Sequence, residues 1–176
     1  ATRAEALITV YPNPDPATTD MPAICPGQAF NLASLNIQDA NFTGGTVSFH
    51  SGTPATPANE LPAPLVTPTA PTTYYYRVES PQGCTGEGSV LVDIKPGPEL
   101  SFAPGDSLSV CRENSVAVSV LATGGNLPYS FLWSTGEDEA AIEVDAGFVP
   151  GTTVDYGVTV TDAEGCFSTD TLRVTT

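Results

Sequence analysis

The stretch VTVTDAEGC, Val158 to Cys166, sets two carboxylates, Asp162 and Glu164, two positions apart beside a cysteine. Such a pair could serve acid–base chemistry or a hard cation, because one group can hold a proton while its neighbour stays charged and both offer oxygen ligands. An echo of it, YRVESPQGC (Tyr76 to Cys84), has Ser80 and Gln82 where the acids stand. A chemistry shared by the two stretches would be absent from the first. Both do supply what a hairpin needs, a residue able to bond its own backbone and a Gly that tolerates positive φ. DAEG and SPQG therefore read as turns.

The lone histidine, His50, aligns with Ser134 on an outward strand face, and no Ser, Cys or carboxylate pair recurs beside it in both stretches of the chain. A nucleophile with its base is not expected, and the chain reads as non-catalytic. The cysteines, Cys25, Cys84, Cys111 and Cys166, form no CxxC pair and have no cluster of histidines to join. That pattern argues against zinc and for two disulfides formed in an oxidising compartment. No cofactor is expected; loosely gathered Ca²⁺ is the one ion the acidity would attract.

The elements that position these residues repeat. ICPGQAFNLASL (Ile24 to Leu35) stands opposite VCRENSVAVSVL (Val110 to Leu121), FHSG (Phe49 to Gly52) opposite WSTG (Trp133 to Gly136), and GSVLVDI (Gly88 to Ile94) opposite STDTLRVTT (Ser168 to Thr176). Cys25 to Phe49 and Cys111 to Trp133 span 24 and 22 residues, and Phe49 to Cys84 and Trp133 to Cys166 span 35 and 33. Landmarks in one order at matching spacing mark a tandem array. Four cysteines allow three connectivities, of which the repeat favours Cys25 with Cys84 and Cys111 with Cys166.

Each copy alternates apolar and polar residues with the period of a half-buried strand. In the second copy Tyr129, Phe131 and Trp133 share a face, as do Ile142 with Val144 and Val154 with Tyr156, Val158 and Val160. In the first, Val47 and Phe49, then Tyr74, Tyr76 and Val78, then Val90, Val92 and Ile94 do the same. Two antiparallel sheets closing over an aromatic centre follow, with Phe49, Tyr74, Tyr76, Phe131, Trp133 and Tyr156 in the core. With 17 Pro, 16 Gly and no long helical period, the chain is expected to be all-β.

Five Lys and Arg against 20 Asp and Glu give a formal charge of −15, which repels nucleic acid and anionic lipid. No apolar run approaches the roughly 20 residues of a membrane helix, and no basic-then-apolar leader opens the chain, so a soluble, already trimmed piece is expected. ALITVYPNP (Ala6 to Pro14) lines up with VLVDIKPGP (Val90 to Pro98). Residues 1–14 are thus expected to be the last strand of a preceding copy, 15–96 a first domain and 97–176 a second, joined through the stiff proline-rich KPGPEL (Lys95 to Leu100).

TGGNLPYSFLWSTGE (Thr123 to Glu137) followed by VTVTDAEGC resembles the SprB-like repeats of gliding-motility and adhesin proteins of Bacteroidetes. GGTVSFHSGTP (Gly44 to Pro54) and PTTYYYRVESPQGC (Pro71 to Cys84) resemble related immunoglobulin-like modules of the same surface proteins, with Phe49 where a Trp is common. The resemblance implies two immunoglobulin-like or PKD-like sandwiches, each with one disulfide, secreted by the type IX route and displayed on the cell surface. It implies no catalytic residues. It also gives meaning to Asp106-Ser107-Leu108 and Asp170-Thr171-Leu172, which resemble the short O-glycosylation signal of that group, while Asn41-Phe42-Thr43 fits the N-glycan acceptor pattern.

A structural stalk or adhesive segment whose partners are neighbouring repeats is the expected function. The alternatives are a carbohydrate- or protein-binding module using the proline-rich loop SGTPATPANELPAP (Ser51 to Pro64), and self-assembly into a fibre by donation of the N-terminal strand.

Overall fold

A computed structural model describes residues 8–39, 44–111, 114–145, 149 and 151–176. The chain divides into two units, Ala1–Ile94 and Lys95–Thr176. Both are built from β-strands, and the only helical turn among the described residues is Leu32–Ser34.

The first unit contains β1 (Pro16–Ala17), β2 (Ala23–Ile24), β3 (Phe30–Asn31), β4 (Gln38–Asp39), β5 (Thr46–His50), β6 (Leu65–Val66), β7 (Thr72–Glu79) and β8 (Thr85–Ile94). One sheet has the order β2-β8-β7-β5, and the two-stranded pairs β3-β6 and β1-β4 complete the unit. Alternation in β7 buries Tyr74, Tyr76 and Val78, and in β8 it buries Val90 and Val92 while leaving Leu91 exposed. Tyr76 stands across from Gly88, where any Cβ would fall 2.4 Å from the ring, so the glycine makes room for the aromatic.

The second unit contains β9 (Glu99–Ala103), β10 (Ser107–Ser109), β11 (Ser115–Thr123), β12 (Ser130–Trp133), β13 (Ala141–Asp145), β14 (Thr153–Thr161) and β15 (Phe167–Thr175). Its sheets are β10-β15-β14-β12 and β13-β11-β9. Their facing sides bury Phe102, Val118, Val120, Trp133, Ile142, Val144, Tyr156, Val158, Val160, Leu172 and Val174. Trp133 lies 6.0 Å from Phe102 between ring centroids and donates its indole N–H to the Glu139 carbonyl at 2.9 Å, so the largest side chain is buried without an orphaned polar atom. Tyr156 is satisfied likewise, its hydroxyl donating to the Asp145 carbonyl at 2.6 Å and accepting the Asp145 N–H at 3.1 Å.

Four expectations need correction. The sheets are not wholly antiparallel, since β2 runs parallel to β8 and β10 parallel to β15. The apolar run after Cys25 forms only the two-residue β3 before a 3₁₀ turn, where the matching run after Cys111 gives the nine-residue β11. Asn31 explains the break: its side chain accepts the Ala33 N–H at 3.0 Å and caps the turn, a local bond that the Val-rich β11 cannot offer. Phe49 is only partly buried against the first core, and Val47 is 45% exposed. Finally, Ala6 and Leu7 of the expected N-terminal strand lie outside the described residues; from Ile8 to Asp15 the backbone is not a strand.

Candidate functional site

The carboxylate of Asp162 is consumed by its own turn. Its Oδ1 accepts the N–H groups of Glu164 and Cys166, each at 2.9 Å, and its Oδ2 accepts that of Asn126 at 3.1 Å. Burial pushes the pKa of this carboxyl up, but bonds from the backbone N–H groups of Asn126, Cys166, Glu164 and Gly165 outweigh it and hold the group below the usual aspartate range. Glu164 points away and pairs with Lys95 at 2.7 Å. In the first unit Ser80 does the same work without charge, its hydroxyl oxygen accepting Cys84 N–H at 3.0 Å and Gln82 N–H at 3.3 Å.

The Gly-Gly of TGGN closes onto this turn. Gly125 has φ +61°, and a Cβ there would lie 2.8 Å from Asp162 Oδ2. Ala163 N–H donates to the Asn126 carbonyl at 2.9 Å, and Tyr129 donates its hydroxyl to the Gly124 carbonyl. Two segments far apart in sequence are thereby one latch.

His50 is the second cluster. It faces away from the core, as its place in β5 requires, yet it is only 2% exposed, because the loop Ser51–Pro64 folds back over it. Its Nδ1 faces two acceptors, the Thr56 carbonyl at 3.2 Å and Asn59 Oδ1 at 3.1 Å, so Nδ1 carries the proton and Nε2 accepts from Ser48 Oγ at 2.8 Å. Serine, histidine and amide in a line is the order of an activated nucleophile. Here Asn59 spends its remaining atoms on the loop, accepting from Thr56 N–H at 2.9 Å and donating to the carbonyls of Pro54 at 2.9 Å and Gly52 at 3.2 Å. Loop backbone also binds the strand edge, Ser51 N–H to the Asn59 carbonyl and Leu61 N–H to the Phe49 carbonyl. The arrangement fastens a loop to a sheet. Outside it lies a pocket of about 210 Å³ lined by Ser48, His50, Thr56, Glu60, Arg77 and Glu79 among others. Sequence reading gave His50 no partner; the signal was the Ser48-x-His50 spacing, which puts both on one strand face.

The cysteines depart from expectation. Cys25 and Cys166 are disulfide-bonded, whereas Cys84 and Cys111 are free thiols, so neither Cys25–Cys84 nor Cys111–Cys166 forms. The parallel pairs give the reason. Ile24 is level with Ile94, which sets Cys25 beside the C-terminal end of β8, while Cys84 immediately precedes its first residue, Thr85. Likewise Val110 N–H reaches the Thr175 carbonyl, which sets Cys111 at the end of β15, and Cys166 immediately precedes Phe167 at its start. Nine or ten residues of strand separate the levels by about 30 Å, and a disulfide tolerates no more than about 7 Å between Cα atoms.

Of the other singled-out residues, Ser107 and Thr171 are exposed, and Asn41 lies outside the described residues. Among the described residues no three His, Cys, Asp or Glu side chains converge to hold a metal ion, and no helix is long and apolar enough to cross a membrane.

No protein-family model matches the chain, and no curated protein matches it in sequence. Among solved structures it is similar to the four N-terminal Ig domains of Dscam1 isoform 6.44, at 11% identity and a TM-score of 0.36, over 94% of this chain and 46% of that one. It is similar to the three N-terminal domains of the bacteriophage RB49 highly immunogenic outer capsid protein Hoc, at 13% identity and 0.38, over 93% and 58%. A third likeness is to extracellular domains 3–5 of Drosophila OTK, at 10% identity and 0.37, over 93% and 59%. The chain spans less than two thirds of each of these structures.

Proposed function

We propose that the chain is a non-catalytic structural or adhesive segment of a secreted bacterial surface protein, with sandwiches in series serving as a stalk. The observation that supports this best is repetition: each unit carries its own apolar core, and each closes its last hairpin with the same side-chain-to-backbone lock, Ser80 in one and Asp162 in the other. Repeating a self-sufficient unit adds length without adding a site. Bonded Cys25 and Cys166 favour an oxidising compartment, in keeping with display outside the cell. The resemblance of TGGN…WSTG and VTDAEGC to Bacteroidetes surface repeats supplies the bacterial assignment and the type IX route. Pulling single chains by their ends in reductant, so that no disulfide shields the units from the load, tests the stalk: two separate unfolding events are expected, and extension without resistance would refute it.

A binding reading is favoured by the pocket beside His50 under the Ser51–Pro64 loop. Glycan-array binding that vanishes on deleting the loop would displace the stalk reading. The strand-donation reading draws on Ile8 and Val10, which are 82% and 85% exposed at alternate positions. Deleting residues 1–14 should abolish assembly if it holds; polymer that survives the deletion excludes it.

A further inference from the structure

We propose that the trough over Gly157, on the outward face of the sheet β10-β15-β14-β12, seats an extended proline-rich peptide of a partner, uncharged or basic, with one of its rings on the glycine. The trough measures about 310 Å³. Gly157 and Thr159 of β14 form its floor, between Leu132 and Ser134 on one side and Thr169 and Thr171 on the other.

The fold does not call for a glycine here. Glycine inside a strand weakens it relative to alanine, and where one stands it marks a bulge, a bend or the close approach of another group. Pairing with β15 runs unbroken from Thr153 to Thr161, so there is no bulge, and Gly157 has no positive φ. Among the described residues a Cβ on it would meet only that of Ser134, at 3.9 Å, an ordinary contact. What remains is the approach of another group.

The first unit shows what lies on such glycines. Gly88 and Gly86, both within β8, face the core and are covered by the Tyr76 ring and by Pro14 with Pro16; a Cβ would fall 2.4 Å from the tyrosine and 2.8 Å from the Pro16 ring. A flat ring makes its fullest contact on backbone that carries no side chain. Gly157 faces outward, and no ring of the described residues covers it.

The outward face of the first unit shows how a peptide lies there. Tyr74-Tyr75 stands where Tyr156-Gly157 does, and the facing pair Arg77 and Glu87 stands where Thr159 and Thr169 do. The proline-rich loop Ser51–Pro64 covers that face: Ala55 is buried, donating its N–H to Glu87 at 3.0 Å and accepting from Arg77 at 3.4 Å. In the second unit a short turn over residues 134–137 replaces the loop, and the trough stays open. Hydroxyls of Thr159 and Thr169, each a donor and an acceptor, stand where the charged pair grips the loop. A proline-rich segment is extended before it binds, so little order is lost in seating it.

Charge selects among such segments. Asp170 is the charged member of the lining, and Glu137, Asp138 and Glu139 are exposed just beyond Trp133, whose N–H the Glu137 carbonyl holds. Arg173 is engaged by Asp155 at 3.0 Å. Acidic segments are repelled and basic ones drawn in.

The proposal is separate from the stalk reading, which needs no ligand. The test follows backbone amides of the full isotope-labelled chain by nuclear magnetic resonance during titration with acetylated, amidated decaproline. The same peptide with a lysine at each end, the same with a glutamate at each end, and a glycine–serine peptide of equal length are titrated alongside. Saturable shifts of the Gly157, Thr159, Thr169 and Thr171 amides are expected, tightest with lysine and weakest with glutamate, and the ringless peptide should leave them unmoved. Gly157→Val should weaken binding by about tenfold or more, because its methyls fill the seat, and Gly157→Ala by less; melting temperatures no lower than the parent's show that both are folded. Absence of saturable shifts, equal binding of the glycine–serine or the glutamate peptide, or undiminished binding by the folded variants would each overturn the proposal. So would shifts of these amides by maltohexaose and not by any peptide.

Discussion

Replacing Gly88 by Ala sets two effects of opposite sign against each other. Glycine within a strand costs about 0.5–1 kcal/mol relative to alanine, so the exchange would stabilise an unobstructed site. Gly88 is obstructed: the new methyl would lie 2.4 to 2.5 Å from three atoms of the Tyr76 ring and hydroxyl, and that ring is 1% exposed. Burial raises the pKa of the Tyr76 phenol, and a bond to the Thr18 backbone opposes the shift, so the far end of the ring is anchored as well. A ring enclosed on all sides cannot swing away, and overpacking of this kind costs about 1–3 kcal/mol.

With the clash near the top of that range, the net loss is about 1–2 kcal/mol, or about 4–16 °C in the Tm of a unit this size. Thermal unfolding followed by far-UV circular dichroism measures it. The single tryptophan, Trp133, reports on the second unit, so its fluorescence transition should not move. The decisive comparison is Tyr76→Val, which copies the second unit, where Val158 stands across from Asp170. In that background Gly88→Ala should become neutral or stabilising, because the obstacle is gone. Equal cost in both backgrounds would refute the reasoning.

Trp133→Ala should cost the second unit about 3–5 kcal/mol, leaving it near the limit of folding, and thermal circular dichroism should show the loss. His50→Ala should cost the first unit on the order of 1–2 kcal/mol and expose Ser51–Pro64 to limited proteolysis before the rest of the chain, as it unfastens the loop. Asp162 has a folded pKa below its unfolded value near ~3.9, so its contribution is present above that value and fades as pH falls through the folded one. Stability of Asp162→Asn should therefore lie below that of the parent at neutral pH and converge with it in acid. Asp162→Ser, which copies Ser80, should keep the hairpin and lose that acid sensitivity, as urea titrations at several pH values would show.

How much of this was legible depended on the range of the physics involved. Side-chain alternation is local, and it placed Tyr74, Tyr76, Val90 and Val92 in one unit and Ile142, Val144, Tyr156, Val158 and Val160 in the other on the buried side. The turn was legible for a comparative reason: Ser80 stands where Asp162 does, and both have an oxygen that can accept backbone N–H groups. The cover over His50 was not, because it depends on a loop folding back through Asn59. Nor was the 3₁₀ turn at Leu32–Ser34, where a single cap from Asn31 overrode an apolar run that reads as strand.

The cysteines mark the sharpest boundary between what pattern can and cannot say. Alternation assigns a residue to a face of the sheet but carries no information about its level along the strand, which is set by how distant segments pair. Parallel pairing of β2 with β8 and β10 with β15 fixes that level in both units alike. The repeat made pairing within a copy look natural, since both cysteines recur together. Recurrence says nothing of level, and the levels of Cys25 and Cys84 about β8 and of Cys111 and Cys166 about β15 are what keep those pairs apart.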